Sequence, residues 1–290
     1  MNDCLISSTS QLSFPLSQLG TSNPAAESLA PVIRQAIASY PLMMLRRTTF
    51  PPFIHPHRDK SRLPEPLANC MGIAALFASR NNDTRPFLWK SIWEEQERCL
   101  REMPNWSKYE IFAAMQAEII YIMMRVVDGC ARTPQHREYN MNMLFAYKAF
   151  WNQLLAIGVA TCGVDRANGE IDWEDWVMEE SLTRIACVWF IVAQISCVKV
   201  GIDCSVLEVW DTLRLPCHKA QWAATTLEDW KEETDALQYL HSRGKPPTNF
   251  AELYQLSRGT NGMAGSDRLD SWNAGVDNIG VLLNVVVNML

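Results

Sequence analysis

Two histidines lie one residue apart in a proline-rich segment, residues 51–57, which reads PPFIHPH. Closely spaced histidines are common metal ligands, but a closed zinc site needs four ligands. The other three histidines of the chain have no spacing that would complete a site around His55 and His57. We therefore predict no metal ligand in this sequence.

The proline content of residues 51–57 favours a structural role instead. Proline fixes its own φ angle and favours extended geometry in the residue that precedes it. We expect a rigid, extended strap that joins a first short helix to the remaining helices. In this strap, Phe53 and Ile54 would plug the core, and His55 would donate a hydrogen bond to a backbone carbonyl.

A second candidate for chemistry is a group of acidic residues between positions 172 and 180. Carboxylates held together can bind a metal or serve as acid and base in catalysis. The first three fall in the opening turn of a predicted helix, where they interact favourably with the positive end of the helix dipole. We therefore interpret the group as structural. Its members are Asp172, Glu174, Asp175, Glu179 and Glu180.

The sequence contains none of the motifs that usually mark an enzyme active site. It has no glycine-rich phosphate loop, no GxSxG elbow and no HExxH motif. A prenyl-chain enzyme would need Asp-rich segments, and here Asp128, Asp165 and Asp211 stand alone. Cys217 lies near a predicted helix start, where a thiolate could be stabilised, but its neighbour His218 need not approach it in space. We predict no enzyme activity and no cofactor.

Composition and charge exclude several classes of protein. The chain has 290 residues, of which 48% are hydrophobic and 20% charged, so it should bury a core. Its net charge is −6 and it shows no basic stripe of the kind that neutralises phosphates. The nine cysteines form no CxxC pair, and their scatter is typical of a reducing compartment. With no signal-peptide pattern and no apolar run long enough for a membrane span, we expect a soluble intracellular protein without direct nucleic-acid binding.

Apolar residues recur at helical spacing along most of the chain, most clearly in residues 106–129. Five positions there, from Phe112 to Val126, step by three or four residues and align on one helix face. Ser107 and Glu110 form a capping box at the start of this segment. Its methionines could form a promiscuous groove, but we interpret them as core.

No run of alternating β-branched residues is long enough to indicate a sheet. We therefore predict an all-α protein, an irregular multi-helix bundle, with a flexible lead-in at residues 1–26 and a single helical domain at residues 27–290. Further helices are predicted between Pro31 and Pro41, with a start near Pro66, and with a start after Asp83 or Thr84. Another is predicted to end at Gly158. The remaining predicted helices cover residues 172–199, 205–213, 218–240 and 270–290, with a loop at 259–266.

Several phrases of the sequence, in order, resemble the regulatory (middle homology) domain of fungal zinc-cluster transcription factors. In that family a Tyr-Pro, a spacer and Pro-Pro-Phe-Ile-His-Pro precede a Leu-Pro-x-x-Leu-x-x-Cys helix, and here SYPLMMLRRTTFPPFIHPH precedes LPEPLANC. Similar phrases continue with Trp89, Ile92 and Glu95, and then with WEDWVMEESLTRIACVWFIV, TLRLPCHKAQWAATTLEDW and LDSWNAGVDNIGVLL. The resemblance covers about residues 38–290.

The positions that carry this resemblance are family markers, to which we assign structural roles. One position departs from the family pattern. The family has two consecutive arginines where this chain has Thr183-Arg184, so a salt-bridge role carries over to Arg184 alone. The six-cysteine, two-zinc DNA-binding module of the family is absent from this sequence. The markers are Pro51, Pro52, Phe53, Ile54, His55, Pro56, Trp173, Trp176, Glu180, Arg184, Pro216, Cys217, Trp222 and Trp230.

The resemblance implies a transcription regulator or co-regulator that acts through protein contacts in the nucleus, with the cytoplasm as a further location. The implied partners are regulatory proteins, a DNA-binding partner, a second copy of the chain or a small-molecule effector. The implied targets are metabolic or specialised-metabolite genes. Two alternatives stay open: a helical enzyme or small-molecule binder with a pocket lined by Trp89, Trp93, Trp151 or Trp189, and a structural or dimerisation module.

Overall fold

The computed structural model describes residues 24–55, 63–128, 134–159, 173–200, 211–240, 245–259 and 262–290. Helices and short turns make up these residues. They contain no β-strand, only an isolated antiparallel bridge between Arg214 and Asn249. The all-α prediction is therefore confirmed. Among the helices of these residues, none is long and apolar enough to span a lipid bilayer.

Twelve α-helices follow one another along the described residues. They are α1 (Pro24–Ile37), α2 (Tyr40–Met43), α3 (Glu65–Ala78), α4 (Arg85–Glu102), α5 (Lys108–Asp128), α6 (Pro134–Ala156), α7 (Trp173–Val200), α8 (Lys219–Ala223), α9 (Leu227–Leu240), α10 (Phe250–Ser257), α11 (Gly262–Gly275) and α12 (Asn278–Val287). Short 3-10 turns cover Arg47–Thr49 and Met103–Asn105.

The chain divides into two compact units. One is formed by Gln35–Ile185, and the other by Met1–Arg34 together with Ala186–Leu290. Helices α1 and α7 contribute residues to both units. The single domain predicted for residues 27–290 stays a prediction. Most of the predicted lead-in lies outside the described residues, and its last three residues, 24–26, belong to α1.

Helix α5 is the centre of the unit formed by Gln35–Ile185. Every residue from Ile111 to Arg125 is buried, and both α3 and α6 pack against this helix. The predicted capping box is confirmed, because the Ser107 amide donates to Glu110 Oε2 at 2.9 Å and the Ser107 hydroxyl accepts from the Glu110 amide at 3.4 Å. The buried set includes the three methionines of the helix, so their interpretation as core is confirmed.

Several predicted helix boundaries agree with the structure. Helix α3 begins one residue before Pro66, and Thr84 occupies the N-cap position of α4, although its side chain makes no capping bond. Helix α6 ends just before Gly158, whose φ of 79° lies in the left-handed region that favours glycine after a helix. Helix α7 matches the predicted 172–199 to within one residue at each end.

The prediction of one helix between Pro31 and Pro41 was wrong. Helix α1 begins at Pro24 and continues through Pro31, while Pro41 lies in the first turn of α2. A proline in the first turn of a helix removes an amide that has no intrahelical partner in any case. Pro41 is therefore compatible with the start of a helix rather than the end of one.

Two other predicted helices are each split in the structure. The segment 218–240 is interrupted before α9, where the Thr226 hydroxyl accepts from the Asp229 amide at 3.1 Å. The segment 270–290 is interrupted before α12, where the carboxylate of Asp277 accepts from the Ile279 amide at 3.0 Å. In both cases a polar side chain caps a new helix start. The predicted loop at 259–266 was also wrong beyond residue 261, because α11 begins at Gly262.

One predicted helix falls largely outside the described residues. It was placed at 205–213, and the description resumes only at residue 211, where the chain forms a turn rather than a helix. The backbone carbonyl of Leu213 accepts from the Phe250 amide at 2.8 Å. That bond holds the end of this segment against the start of α10.

Candidate functional site

The proline strap forms a turn, so the prediction of extended geometry was wrong for its first part. The Ile54 amide donates to the Pro51 carbonyl at 2.9 Å, which closes a β-turn with Pro52 in the position that proline favours. Phe53 is 0% exposed and Ile54 is also buried. The prediction that both plug the core is confirmed, and the Phe53 ring meets the Tyr40 ring edge-on at a centroid distance of 6.1 Å.

Two side chains from distant helices bind the carbonyl groups of this turn. Arg184 Nη1 of α7 donates to the Pro52 carbonyl at 3.0 Å. Gln116 Nε2 of α5 donates to the Phe53 carbonyl at 2.9 Å. A turn leaves carbonyl groups without regular backbone partners, and a buried carbonyl must find a donor elsewhere. These two bonds therefore tie the strap to the helices around it.

Arg184 is completely buried, and its charge is balanced within its own helix. Its Nε donates to Oε1 of Glu180 at 2.8 Å, and Glu180 is itself buried. An isolated cation in the protein interior would carry a large desolvation penalty, which a paired carboxylate and hydrogen bonds offset. The planar guanidinium suits this role, because it can point one nitrogen at Glu180 and another at Pro52.

A third contact joins the same two segments. The ring of His55, buried, meets the ring of Trp173 edge-on at 5.9 Å with an interplanar angle of 86°. Trp176, one turn later, is half-buried. The hydrogen bond predicted from His55 to a carbonyl stays a prediction, and Pro56 and His57 lie outside the described residues. The structure thus brings together markers more than a hundred residues apart in the sequence, which we call the strap junction: residues 51–55, Trp173, Glu180 and Arg184.

The remaining markers lie in the unit that contains α8 and α9. Pro216 and Trp222 are buried, whereas Cys217 and Trp230 are half-buried. The imidazole of His218 caps α8, because its Nδ1 accepts from the Ala220 amide at 3.2 Å. This ring also lies so close to Gly275 that a Cβ there would overlap it. The His218 side chain therefore serves a capping and packing role beside Cys217.

Polar side chains of helices α3, α4 and α5 form a cluster between these helices that sequence patterns did not indicate. Gln96 Nε2 donates to Glu118 Oε1 at 2.7 Å, and Asn69 Nδ2 donates to both oxygens of the Glu95 carboxylate at 3.1 Å. Arg98 Nη2 donates to Glu95 Oε1 at 2.7 Å. The partners of the first two pairs are 22 and 26 residues apart in sequence, so no local motif could reveal them.

Burial raises the pKa values of three side chains in and beside this cluster. It raises the pKa of Glu118 well above its usual range, and the hydrogen bond from Gln96 only partly opposes this. Burial likewise raises the pKa values of Cys70 and Cys99. Both cysteines are therefore thiols rather than thiolates at neutral pH, and a thiol is a poor nucleophile. The carboxyl of Glu118 and the thiols of Cys70 and Cys99 are therefore not arranged for nucleophilic attack.

Replacing Glu118 with glutamine is expected to remove a pH dependence of stability. An unfolded glutamate ionises near pH 4.3, whereas the raised pKa of Glu118 keeps the folded carboxyl protonated. The free energy of unfolding should therefore fall as pH rises from about 4 to the folded pKa, by up to about 1.4 kcal/mol per pH unit. Glu118→Gln keeps the acceptor for Gln96 and should match the natural chain in acid but exceed its stability at neutral pH.

Urea unfolding at several pH values measures this difference. The matched control is Glu94→Gln at an exposed position of α4, where the side chain is 64% accessible. This control should leave the stability profile nearly unchanged. A Glu118→Gln profile that runs parallel to that of the natural chain would contradict the assignment of a protonated interior carboxyl.

Two of the other acidic candidate residues, Asp128 and Asp175, interact with basic side chains. Asp128 is buried against two cations, Arg80 at 2.9 Å and Arg85 at 3.2 Å. Of the predicted helix-opening acids, Asp175 accepts from Lys108 Nζ at 2.7 Å. Within the described ranges, no group of three or more His, Cys, Asp and Glu side chains is arranged to hold a metal ion.

The tryptophans proposed to line a pocket pack into the protein in separate ways. Trp89 is buried, with the guanidinium of Arg125 at 4.9 Å from its ring. Trp93 meets the ring of Tyr139 edge-on at 5.6 Å. Trp151 is buried in the same unit, whereas Trp189 belongs to the other unit. Trp89 and Trp93 therefore each pack against a different partner.

The described residues define an all-helical protein in which the strap junction is buried. No family model and no solved structure matches the chain. Over 162 residues the chain is 22% identical to Transcription factor gsfR2 of Penicillium aethiopicum, and the match covers 52% of this chain. The matched part is 38% of that relative's length. The chain is thus weakly similar to a fungal transcription factor and spans well under half of it.

Proposed function

We propose that this protein is a transcription regulator or co-regulator that works through protein contacts rather than catalysis. The observation that carries the proposal is the similarity to a fungal transcription factor. The ordered family markers of the sequence support it independently. Their contacts at the strap junction agree with a shared structural core, since Arg184 and Pro52 are bonded although 132 residues separate them.

The surroundings of several cysteine and histidine side chains, residue types often used in catalysis, support this non-enzymatic proposal. Burial keeps Cys70 and Cys99 protonated, and His218 is engaged as a helix cap next to Cys217. The strap histidine His55 packs on Trp173. These groups therefore hold the fold and are poorly placed to act as nucleophiles or bases.

The acidic balance of the chain suggests how it would reach its target genes. With a net charge of −6, its surface offers little to phosphate, because DNA binding draws on many Lys and Arg contacts. In the proposed function a DNA-binding partner or module supplies that contact, and regulatory proteins or a small-molecule effector adjust it. The proposed location is the nucleus, and the proposed targets are metabolic or specialised-metabolite genes.

Two measurements test this function. The chain is fused to an unrelated DNA-binding domain and assayed on a reporter gene, and the transcripts of a strain lacking its gene are compared with the parent. We expect the fusion to change reporter output and the deletion to change a defined set of transcripts. A Phe53→Ala fusion, with a damaged core, should lose the reporter effect, and Glu94→Gln should keep it. A deletion that alters no transcript would contradict the proposal.

A further inference from the structure

Helix α6 exposes an unusual number of large apolar side chains on one face. Met141 is 61% exposed and Phe145 is 65% exposed, and Leu144 between them is 44% exposed. The opposite face of the helix, which includes Phe150 and Leu154, is buried in the core. A helix that needed only one buried stripe would carry polar residues on its outer face. Exposed apolar residues grouped in this way mark a surface that another molecule covers.

Two opposite charges bracket this apolar group along the helix. Glu138 lies before it and Lys148 after it, and both are exposed. Neither side chain takes part in an ion pair within the described part of the chain. We call these five residues the outer α6 face: Glu138, Met141, Leu144, Phe145 and Lys148.

The outer α6 face is complementary to the same face of a second copy that runs in the opposite direction. Glu138 and Lys148 are equidistant from residue 143, and so are Met141 and Phe145. Two copies of the helix, antiparallel about a two-fold axis at residue 143, would therefore place each Glu138 level with the Lys148 of the other copy. The same arrangement would place each Met141 level with a Phe145. A two-fold interface has this property, because a contact from i to j is repeated from j to i.

The charges also discriminate between orientations. In a parallel pair, Glu138 would face Glu138 and Lys148 would face Lys148, and like charges at such a contact are unfavourable. The antiparallel pair makes two favourable contacts from the same four side chains. From this reversal symmetry we infer that the outer α6 face binds a second copy of this chain as an antiparallel, two-fold helix pair.

The size of the face sets the strength of this contact. Glu138 and Lys148 are about 15 Å apart along the helix axis, at about 1.5 Å per residue. A stable interface usually buries about 800 Å² on each partner, and five side chains on one helix provide less. The dimer should therefore be weak and depend on protein concentration, forming across the micromolar range.

Sedimentation velocity of the full chain over a series of concentrations tests the contact. The natural chain should shift from monomer to dimer as concentration rises. Phe145→Ser should weaken dimerisation about 30-fold or more, as expected for an aromatic anchor at the centre of an interface. The matched control is Phe87→Ser, which removes a 60% exposed phenylalanine from α4 and should leave the dimer unchanged. Circular dichroism melting checks that both variants stay folded.

A charge-swap cycle tests the antiparallel orientation. Glu138→Lys alone and Lys148→Glu alone should each weaken the dimer, because each places like charges together. The variant that carries both substitutions should recover the dimer, because the pairs are restored with their signs exchanged. A structural effect on one helix alone would not produce this recovery.

Three outcomes would overturn the inference. The first is a chain that stays monomeric at every concentration. The second is a dimer that Phe145→Ser does not weaken, or that the doubly swapped variant fails to recover. The third is a folded, monomeric protein in which Phe145→Ser abolishes the reporter effect, since the face would then bind a different protein. The proposed transcriptional function could survive each result, so the two proposals fail separately.

Discussion

Replacing Arg184 with methionine is expected to lower the free energy of unfolding by about 3–5 kcal/mol. The guanidinium is 0% exposed, and its loss would leave the carboxylate of Glu180 buried without the cation beside it. It would also remove the donor that binds the Pro52 carbonyl. A buried carboxylate that loses a paired cation and a buried carbonyl that loses a donor both destabilise the native state. Urea unfolding followed by circular dichroism measures the change.

A double variant separates the charge from the packing. Arg184→Met combined with Glu180→Met removes both charges and should be more stable than Arg184→Met alone, because the buried carboxylate is removed together with its cation. The matched control is Lys90→Met, which breaks an exposed pair with Glu94 at the same i,i+4 spacing. Exposed pairs contribute about 0.2–1 kcal/mol. An Arg184→Met effect as small as that of Lys90→Met would contradict a structural role for the buried ion pair.

Replacing Phe53 with alanine is expected to lower the free energy of unfolding by about 3–5 kcal/mol. The ring is 0% exposed and lies against Tyr40, and truncation would leave a cavity that the rigid turn around Pro52 cannot easily close. The cost therefore combines lost apolar burial with the cavity left behind. Denaturant unfolding measures the change, and the slope of the transition shows whether the unfolded state also changed.

Two variants show whether this effect belongs to the buried ring. Phe53→Leu fills part of the same space and should cost clearly less than Phe53→Ala. Phe87→Ala removes an equal volume from a side chain that is 60% exposed, and it should leave stability within about 0.5 kcal/mol, as is usual for surface substitutions. Equal losses for Phe53→Ala and Phe87→Ala would refute the assignment of Phe53 as a core plug.

These two predictions give the family markers a physical meaning. An arginine that binds a buried turn is difficult to replace, because few other side chains could bind the same carboxylate and carbonyl together. His55, one of the two histidines that suggested a metal site, fits this explanation, since its ring packs on Trp173. At the strap junction, residues 51–55 are thus tied to helix α7 by a buried hydrogen bond and a ring contact.

The sequence predicted local structure well where one pattern acted without competition. The apolar spacing of α5 and its capping box at Ser107 predicted a helix, and Gly158 marked the end of α6. These features depend on neighbours three or four residues away, which the sequence shows directly. Burial of both faces of α5 was not predicted, since it depends on α3 and α6 packing from different sides.

The errors of prediction arose where two local signals competed. Charged and apolar residues continue across Thr226 and Asp277 and favour uninterrupted helices, whereas the capping side chains at these positions start new helices. At Pro41 the sequence offers two signals, because proline can follow the end of a helix and is equally suited to the first turn of one. The capping residues were visible in the sequence, so these boundaries could have been predicted.

By itself, the sequence determined that the chain is all-α, where most helices lie and which residues mark its resemblance to a family. Only the tertiary structure decided what those markers do. The bonds from Arg184 to Pro52 and from Gln116 to Phe53 join residues 132 and 63 positions apart. The sequence shows that such side chains are polar or charged, but their partners follow from how the helices pack. Burial removes water as an alternative partner, and each buried group must then bind whatever the fold brings beside it.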